Sequence, residues 1–182
     1  MNKALFLDRD GIINVDHGYV HKIADFEFVD GIFELCRLAL AKGYQIFVIT
    51  NQAGIARGYY EQATFQALSK WMVNAFAEQG VTITKVYHCP HHPSKGVNEF
   101  VMPCHCRKPE PGMIFQAEKE FSLDLANSIF IGDKISDMQA ASNAGIESRI
   151  LVESCYTNTP AAGQIDGVYR ISKLSQACEL IN

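Results

Sequence analysis

The sequence predicts an α/β protein, in which a doubly wound parallel sheet lies between two layers of helices. Short apolar runs alternate along the chain with longer amphipathic stretches, which is the pattern of strand–helix units. Polar residues also follow several apolar runs directly, as Asp8 follows Ala4–Leu7. In open α/β sheets such strand ends form the ligand-binding edge. With 182 residues and no linker or internal repeat, we expect one three-layer domain over residues 1–182.

The elements follow in order from periodicity and stop signals. Helical stretches repeat apolar residues at spacings of three and four, and glycines such as Gly43 and Gly80 end them. The predicted strands are Ala4–Leu7, Gln45–Thr50, Thr84–His88, Ser128–Ile131, Ser148–Val152 and Val168–Ile171. The predicted helices are Gly31–Lys42, Gln62–Gln79, Gly112–Phe121, Ser136–Asn143 and a closing helix, Leu174–Ile181. The connections after Gly11 and Gly58 run quickly into the next elements, so we expect no large cap domain.

Composition disfavours several classes of partner. The formal net charge is −4 and no run of Lys and Arg occurs, which disfavours nucleic acid and anionic membranes as partners. The start of the chain is charged too early for a signal peptide, and no apolar stretch approaches the roughly 18 residues of a spanning helix. We therefore expect a cytoplasmic protein. No exposed apolar stripe is evident, so we expect a monomer.

Acidic and polar residues cluster at the predicted strand ends. Asp8 and Asp10 follow the first strand two residues apart, and at about 4 Å two such charges repel by roughly 4 kcal/mol. Thr50 ends the second strand, Asp133 follows the fourth, and Lys108 lies in the connection between the third and fourth. Each has an ordinary explanation alone: an Asp-Gly turn, a strand end, a solvated lysine. In this order, at converging strand ends, they favour a reactive site.

This set of residue types suits phosphoryl transfer. A carboxylate can attack phosphorus, and a second acid can protonate the leaving oxygen and then accept a proton from water. Mg²⁺ would offset the clustered negative charge, because it prefers oxygen ligands from one or two carboxylates and a phosphate. A hydroxyl and a lysine would stabilise the phosphoryl oxygens.

The long connection at about residues 89–111 predicts a metal-binding loop. Cys89, Cys104 and Cys106 fall within eighteen residues together with several histidines, and tetrahedral zinc commonly takes three thiolates and one imidazole. His91 is one candidate for the fourth ligand; spacing alone cannot choose among it and its rivals, which are His88, His92 and His105. Four protein ligands leave no open position, so the zinc would be structural. The alternative is three reduced cysteines beside surface histidines.

The motifs at the strand ends resemble those of the haloacid dehalogenase (HAD) superfamily of phosphatases, over the chain from Leu5 to about Ala144. The resemblance implies a Rossmann-like fold of that superfamily. It implies the nucleophile Asp8, the acid/base Asp10, and Thr50 and Lys108 as phosphoryl-binding groups. It also implies Mg²⁺ bound by Asp8, the main-chain carbonyl of Asp10, and Asp133. We assign no ligand role to Asp137.

Longer strings narrow the resemblance to the heptose bisphosphate phosphatase family, zinc-loop enzymes that act in making ADP-heptose for lipopolysaccharide. The strings are Phe6–Asn14, Asp16–Val20, Thr50–Gly58, Cys89–Pro93, Cys104–Pro109 and Gly132–Lys134. The resemblance implies a sugar bisphosphate substrate, and Arg107 as the group that recognises its distal phosphate. The implied zinc ligands are Cys89, His91, Cys104 and Cys106. The other implied substrate contacts are Asp16, His17, Gly18, Tyr19, Asn51, Gln52, Ala53 and Lys134.

Two alternatives remain at this point. Histidinol-phosphate phosphatases share the aspartates and a related zinc loop, but their cationic substrate calls for an acidic or aromatic contact rather than Arg107. A non-catalytic, zinc-stabilised binding domain is the other alternative. It is disfavoured because such a domain would be expected to lack the nucleophile Asp8, the acid Asp10 or the phosphate-binding Lys108.

Overall fold

Six strands pair in parallel to form one sheet, in the order β3-β2-β1-β4-β5-β6. The computed structural model describes residues 2–155, 157 and 167–181. The strands are β1 Lys3–Leu7, β2 Tyr44–Asn51, β3 Ile83–Cys89, β4 Ile129–Gly132, β5 Ser148–Val152 and β6 Val168–Ile171. This order is that of a doubly wound sheet, and it confirms the predicted fold class.

Helices cover both faces of the sheet, which gives the three expected layers. They are α1 Ile32–Ala41, α2 Gln62–Glu78, α3 Gly112–Phe121 and α4 Ile135–Asn143, with 3-10 turns at Ile23–Asp25 and Leu174–Leu180. Side chains alternate along a strand, so β1 sends Leu5 and Leu7 into the core under α1 and α2, and Phe6 into the core under α3 and α4. Both faces of β1 are therefore buried, as its continuous apolar run predicts.

The strand order reverses between β1 and β4, and this places the site. Connections from neighbouring strands lead away on opposite sides there, which opens a crevice at the carboxyl ends. The Asp8 N–H donates to the Ile131 carbonyl at 3.0 Å, so Asp8 still lies in register with β4. Asp133 follows the end of β4 directly. The two carboxylates therefore meet at this crevice.

The predicted strands agree with the structure to within one residue at each end, and one helix differs in type. The closing helix is a 3-10 segment, Leu174–Leu180, rather than an α-helix. Seven residues form too few turns for an α-helix to gain cooperative stability, so tighter turns that bury Leu174 and Ala177 are sufficient. The short 3-10 turn at Ile23–Asp25 carries no periodic signal and was not predicted.

In the described chain, neither the connection after Gly11 nor the connection after Gly58 carries a cap domain. Residues 8–31 hold one 3-10 turn and isolated bridges, and residues 52–61 hold turns alone. Among the described residues, no helix combines the length and the apolar character that crossing a membrane requires.

Candidate active site and metal centres

Lys108 lies at the centre of the buried charge at the carboxyl edge of the sheet. Its Nζ lies 2.9 Å from Asp8 Oδ1 and 2.7 Å from Asp137 Oδ1, and it donates to the Ile49 carbonyl at 2.7 Å. These three contacts match the three N–H groups of an ammonium, so the side chain is fixed in position. Burial alone would lower the pKa of Lys108, but Asp137 and Asp8 outweigh it and raise that pKa. The two carboxylates therefore favour the cationic form of Lys108 beside Asp8.

Three buried carboxylates, Asp8, Asp133 and Asp137, have oxygens within 4.8 Å of one another. Asp137 is paired within the protein, because its Oδ1 forms an ion pair with Lys108 at 2.7 Å and its Oδ2 accepts the Lys134 N–H at 3.0 Å. Neither Asp133 oxygen accepts a hydrogen bond from the described residues. The pKa of Asp133 is raised to about 7, mainly by burial and also by the charges of Asp8 and Asp137, while Lys134 and Lys108 oppose the shift. Unsatisfied, buried carboxylate oxygens fit a hard divalent cation such as Mg²⁺.

Gly11 makes room for this carboxylate cluster. Its φ is 93°, and a Cβ there would overlap the Asp133 carboxylate. The Asp10 side chain is not among these three clustered acids, and the resemblance implies its main-chain carbonyl as the ligand instead. Burial also raises the pKa of Asp8, although Lys108 opposes the shift. A cation between Asp8 and Asp133 would favour the ionised forms of both.

Asp10 is fixed by hydrogen bonds from both sides. Arg9, only 1% exposed, donates from Nη2 to Asp10 Oδ1 and to the Val20 carbonyl, both at 2.7 Å. Asn14 Nδ2 donates to the same carboxylate oxygen at 3.1 Å. Gln52 Nε2 donates to the other oxygen at 3.2 Å. Since Arg9 neutralises the charge of Asp10 locally, the acid can be held close to the Asp8 cluster.

A cavity of about 530 Å³ opens above these groups. It brings together most of the residues predicted to contact substrate. Its lining comprises Asp10, Asp16, Gly18, Tyr19, Asn51, Gln52, Ala53, Tyr60, Arg107, Lys108, Pro109, Lys134 and Ser136. Asp8, Thr50 and Asp133 are buried at the adjoining strand ends. A cavity of about 600 Å³ beside Tyr44 and Tyr169 includes none of the predicted site residues in its lining.

His17 is the predicted contact that the structure does not bring to this cavity. Its Nε2 lies 3.2 Å from Glu27 Oε2, and both side chains are largely exposed. The Asn51 side chain lines the cavity, but its amide is occupied by the main chain of Lys108. Lys108 N–H donates to Asn51 Oδ1 at 3.0 Å, and Asn51 Nδ2 donates back to the Lys108 carbonyl at 3.1 Å. Asn51 therefore fixes the backbone of Lys108 against β2.

Two further cations flank the cavity. Lys134 Nζ lies 3.3 Å from Asp16 Oδ2 and 3.7 Å from Asp133 Oδ1. Burial alone would lower the pKa of Lys134, but the surrounding carboxylates outweigh it and raise that pKa. Arg107 Nη1 donates to the His91 carbonyl at 3.1 Å, which orients the guanidinium at the cavity lining. The lining thus carries the cationic groups that an anionic ligand requires.

Three cysteines and one histidine of the loop converge on one point. Cys106 Sγ lies 3.1 Å from Cys89 Sγ and 3.3 Å from His91 Nδ1, and Cys89 Sγ lies 3.6 Å from both His91 Nδ1 and Cys104 Sγ. Zinc bonds of about 2.3 Å to sulfur and 2.0–2.1 Å to nitrogen give a tetrahedron with edges of roughly 3.5–3.8 Å, which the 3.6 Å separations match and the two shorter ones approach. The sulfur atoms are too far apart for a disulfide. The donor set therefore fits a tetrahedral metal ion.

The structure selects His91 from the four candidate histidines. Among the described residues, it is the histidine that groups with the three cysteines. The ring of His92 is turned elsewhere, since its Nδ1 accepts the Ser94 and Lys95 N–H groups at 3.2 and 2.9 Å. His88 is partly buried, and burial lowers its pKa. Distances between folded segments decide this choice, and sequence spacing contains no such information.

Comparison with known proteins agrees with this geometry. A family described as HAD-hydrolase-like matches residues 105–174. The D-glycero-alpha-D-manno-heptose-1,7-bisphosphate 7-phosphatase of Campylobacter jejuni is 57% identical over 150 residues, 82% of each chain. The D-glycero-beta-D-manno-heptose-1,7-bisphosphate 7-phosphatase of Escherichia coli K12 is 47% identical, over 87% of this chain and 83% of that one. The chain belongs to the heptose bisphosphate phosphatase family. It is a phosphatase of the HAD type.

Solved structures support membership of this phosphatase family. The D,D-heptose 1,7-bisphosphate phosphatase from B. bronchiseptica, complexed with magnesium and phosphate, superimposes with a TM-score of 0.83 at 32% identity, covering 98% of this chain and 97% of that one. A putative HAD-like phosphatase from Mesorhizobium loti gives a TM-score of 0.85 at 35% identity, covering 99% and 86%. The fold of this phosphatase is thus shared along nearly its whole length.

Sequence reasoning missed several groups that the structure places at the site of this phosphatase. Tyr60 and Ser136 line the cavity, and Arg9 holds Asp10. Arg9 stands inside the Asp-Arg-Asp-Gly string and could have been recognised as the counterion of the second acid. Tyr60 carries no comparable signal, because its contact with Gln52 depends on the fold of the loop between them.

Proposed function

We propose that the chain removes the C7 phosphate of D-glycero-D-manno-heptose 1,7-bisphosphate, with Mg²⁺, through an aspartyl-phosphate at Asp8. The observation that carries this is the buried Asp8, paired with Lys108 beside the unsatisfied Asp133, under a cavity flanked by cations. The relatives named for this activity support the substrate. The reaction would serve the formation of ADP-heptose for lipopolysaccharide, in the cytoplasm, in a monomeric single domain.

In the first step, an Asp8 carboxylate oxygen attacks the phosphorus of the C7 phosphate. The bond between phosphorus and the C7 oxygen breaks, and its electron pair stays on that oxygen. Asp10 gives the oxygen a proton, so the sugar leaves as an alcohol. Lys108 contacts Asp8 and would also stabilise charge on the phosphoryl oxygens in the transition state.

In the second step, water attacks the phosphorus of the aspartyl-phosphate. Asp10, now a carboxylate, accepts a proton from that water, which restores its protonated form. The bond between phosphorus and Asp8 breaks and returns the electron pair to the Asp8 carboxylate. The products are inorganic phosphate and the enzyme as it began, so one acid serves both half-reactions.

Two metal ions have separate places in this proposal. Asp8, Asp133 and the main-chain carbonyl of Asp10 would hold Mg²⁺, which would neutralise charge on the phosphoryl group. The magnesium and phosphate bound by the B. bronchiseptica relative support this assignment. Zinc on Cys89, His91, Cys104 and Cys106 would be structural.

The distal phosphate of the substrate would bind at the outer part of the cavity. We assign it to Arg107, whose planar guanidinium can bind two phosphate oxygens at once. The sugar and its reacting phosphate would contact other residues of the cavity lining, which are Lys134, Asp16, Gly18, Tyr19 and Ala53. We assign the α anomer as preferred substrate, because the C. jejuni relative is 57% identical and the E. coli enzyme named for the β anomer is 47% identical.

Phosphate release from both anomers of the heptose bisphosphate and from histidinol phosphate tests the proposal. We expect kcat/KM to favour the heptose bisphosphate at least 100-fold, which is about 2.7 kcal/mol of transition-state discrimination. Phosphorus NMR of the product should show the C1 phosphate retained. Asp8→Asn should abolish turnover. Preference for histidinol phosphate, or loss of the C1 phosphate, would contradict the assigned substrate.

A further inference from the structure

We propose that Gln52 is a positioning residue, which directs the Asp10 carboxyl toward the leaving oxygen and leaves the Thr50 hydroxyl proton free for the phosphoryl group. Gln52 is 2% exposed, and its side-chain amide makes three hydrogen bonds to other side chains. The inference rests on the proposed function, since it takes Asp10 as the acid. It assigns Gln52 a role other than contact with substrate.

The orientation of the Gln52 amide follows from the chemistry of its neighbours. Gln52 has one atom 3.2 Å from Asp10 Oδ2 and 2.8 Å from Thr50 Oγ1. In its ionised form the Asp10 carboxylate can only accept, so the Gln52 atom that faces it in that state is the amino nitrogen. Its two N–H groups therefore point to Asp10 and Thr50, and the amide oxygen is left for Tyr60. The Tyr60 hydroxyl donates to that oxygen at 2.6 Å.

The two oxygens of Asp10 have unequal surroundings. Oδ1 receives the Arg9 Nε at 3.2 Å, the Arg9 Nη2 at 2.7 Å and the Asn14 amide at 3.1 Å. Oδ2 receives only the Gln52 donor among the hydrogen bonds of the described residues. An oxygen with three donors around it has no room for a proton of its own. Oδ2 is therefore the oxygen with room to face the leaving group, and Gln52 fixes the rotation of the carboxyl group that carries it.

Thr50 is oriented by the same amide. Its Oγ1 is buried, and it accepts one of the two Gln52 N–H groups. A hydroxyl has one proton and two lone pairs. With one lone pair occupied by Gln52, the proton of Thr50 is directed away from Gln52 and can be donated to a phosphoryl oxygen. The Gln52 amide therefore orients both the acid, Asp10, and a hydrogen-bond donor to the phosphoryl group, the Thr50 hydroxyl.

Tyr60 locks the amide in this orientation, and the chain is shaped to admit it. A Cβ at Gly54 would lie within 2.7 Å of the Tyr60 hydroxyl and overlap its ring, so only glycine lets the ring reach Gln52. The His21 ring stacks on the other side, with centroids 4.9 Å apart and planes 12° from parallel. If the Gln52 amide flipped, its oxygen would face the Asp10 carboxylate and its amino group would lose Asp10 and Thr50 as acceptors. The Tyr60 hydrogen bond opposes that flip.

The leaving group provides a test that separates positioning from general damage. An alkoxide such as the C7 oxygen needs the Asp10 proton as its bond to phosphorus breaks, whereas p-nitrophenolate leaves without one. The measurement is kcat/KM, because it covers only the steps through transfer of the phosphoryl group to Asp8. For Gln52→Met we expect kcat/KM on the heptose bisphosphate to fall at least about 10-fold further than on p-nitrophenyl phosphate. Tyr60→Phe should show the same bias, but smaller.

Controls keep each outcome interpretable. Gln52→Glu keeps the shape of the side chain but replaces the donor to Asp10, so it should show the bias even if Gln52→Met folds poorly. Gln116→Met, on the exposed side of α3, should lower neither activity. Suppose the Gln52 variants lose activity equally on both substrates, while Asp10→Asn shows a clear bias. That result would overturn the role assigned to Gln52 and leave the proposed function standing. An Asp10→Asn variant without bias would contradict the acid role in the proposed function.

Discussion

Lys108 is the residue whose loss we expect to cost the most stability. Removing its cation leaves Asp8 and Asp137 buried without a counterion, and breaking such a pair costs about 3–5 kcal/mol. Lys108→Met should therefore be inactive and destabilised by that amount in urea unfolding. The matched double variant Lys108→Met/Asp137→Asn removes one of the two stranded charges. It should recover about half of the lost stability and stay inactive, whereas unchanged stability in the single variant would contradict the buried ion pairs.

Asp133 gives a prediction about pH in magnesium-free buffer. Its pKa is raised from 3.8 to about 7 in the folded protein, mainly by burial. The folded state therefore holds this proton more tightly than the unfolded state, so the associated stability is present below about pH 4 and is lost as pH rises through 7. We expect the free energy of unfolding to fall across that range by an amount on the order of 4 kcal/mol from this group.

Addition of Mg²⁺ tests the same residue. An ion bound only by the folded state stabilises it, so Mg²⁺ should raise the melting temperature at pH 8 and much less at pH 5. Asp133→Asn should lack both the pH-dependent loss and the response to Mg²⁺. Calorimetry with zinc held constant measures both. An unchanged Mg²⁺ response in Asp133→Asn would contradict this residue as a ligand.

At the scale of elements, one contact holds the loop at residues 89–111 to the sheet and another lies within the loop, and loss of zinc should affect the two unequally. The Asn51 amide fixes the backbone of Lys108 from β2, independently of any metal. The side chain of Arg107 depends on the loop, because its Nη1 donates to the carbonyl of His91, one of the proposed zinc ligands. We therefore expect Cys104→Ser to lose zinc and to raise KM for the bisphosphate more than it lowers kcat. The total loss in kcat/KM should be about 10–100-fold.

Zinc content and kinetics measured together check this prediction. The matched control is Cys155→Ser, which removes an exposed cysteine outside the loop and should keep both zinc and activity. Limited proteolysis should cut Cys104→Ser within residues 93–103 sooner than the control. A variant that loses zinc with KM unchanged would show that Arg107 is positioned without the metal.

The sequence contained enough information for the elements and for much of the site. The β1 and β2 boundaries follow from apolar runs buried on both faces, and that pattern is local in the chain. The 3-10 character of Leu174–Leu180 was missed, because its packing against α1 involves residues far apart in sequence. Helical periodicity does not distinguish such a segment from a short α-helix.

The site was predictable as far as its residues stand in recognisable strings. Asp8, Asp133 and the three loop cysteines stand in such strings. The structure brings the two carboxylates together at one place and the three cysteines together at another. The choice of His91, the remote placement of His17 and the contact of Tyr60 with Gln52 depend on how loops close in space. Spacing cannot supply those distances, so they required the structure.

At the scale of the whole molecule, one strand connects the two cores and the active site. β1 contributes Leu5 and Leu7 to one core and Phe6 to the other, and Asp8 follows its last residue. The reversal of strand order beside β1 opens the crevice that the site occupies. Since neither core can persist without β1, we infer that the chain folds as one unit and that the site is lost with it.

Unfolding in urea tests this single-domain interpretation, because probes exist for separate parts of the molecule. Trp71, the only tryptophan, reports one core, where its ring lies 5.4 Å from that of Phe26. Hydrogen exchange in α3 reports the other core, and far-UV circular dichroism reports all elements. With zinc and Mg²⁺ held constant, since bound ions shift the midpoint, we expect coincident midpoints for the three probes. A Trp71 transition more than about 0.5 M below the others would show that the two faces unfold independently, and would contradict a single cooperative domain.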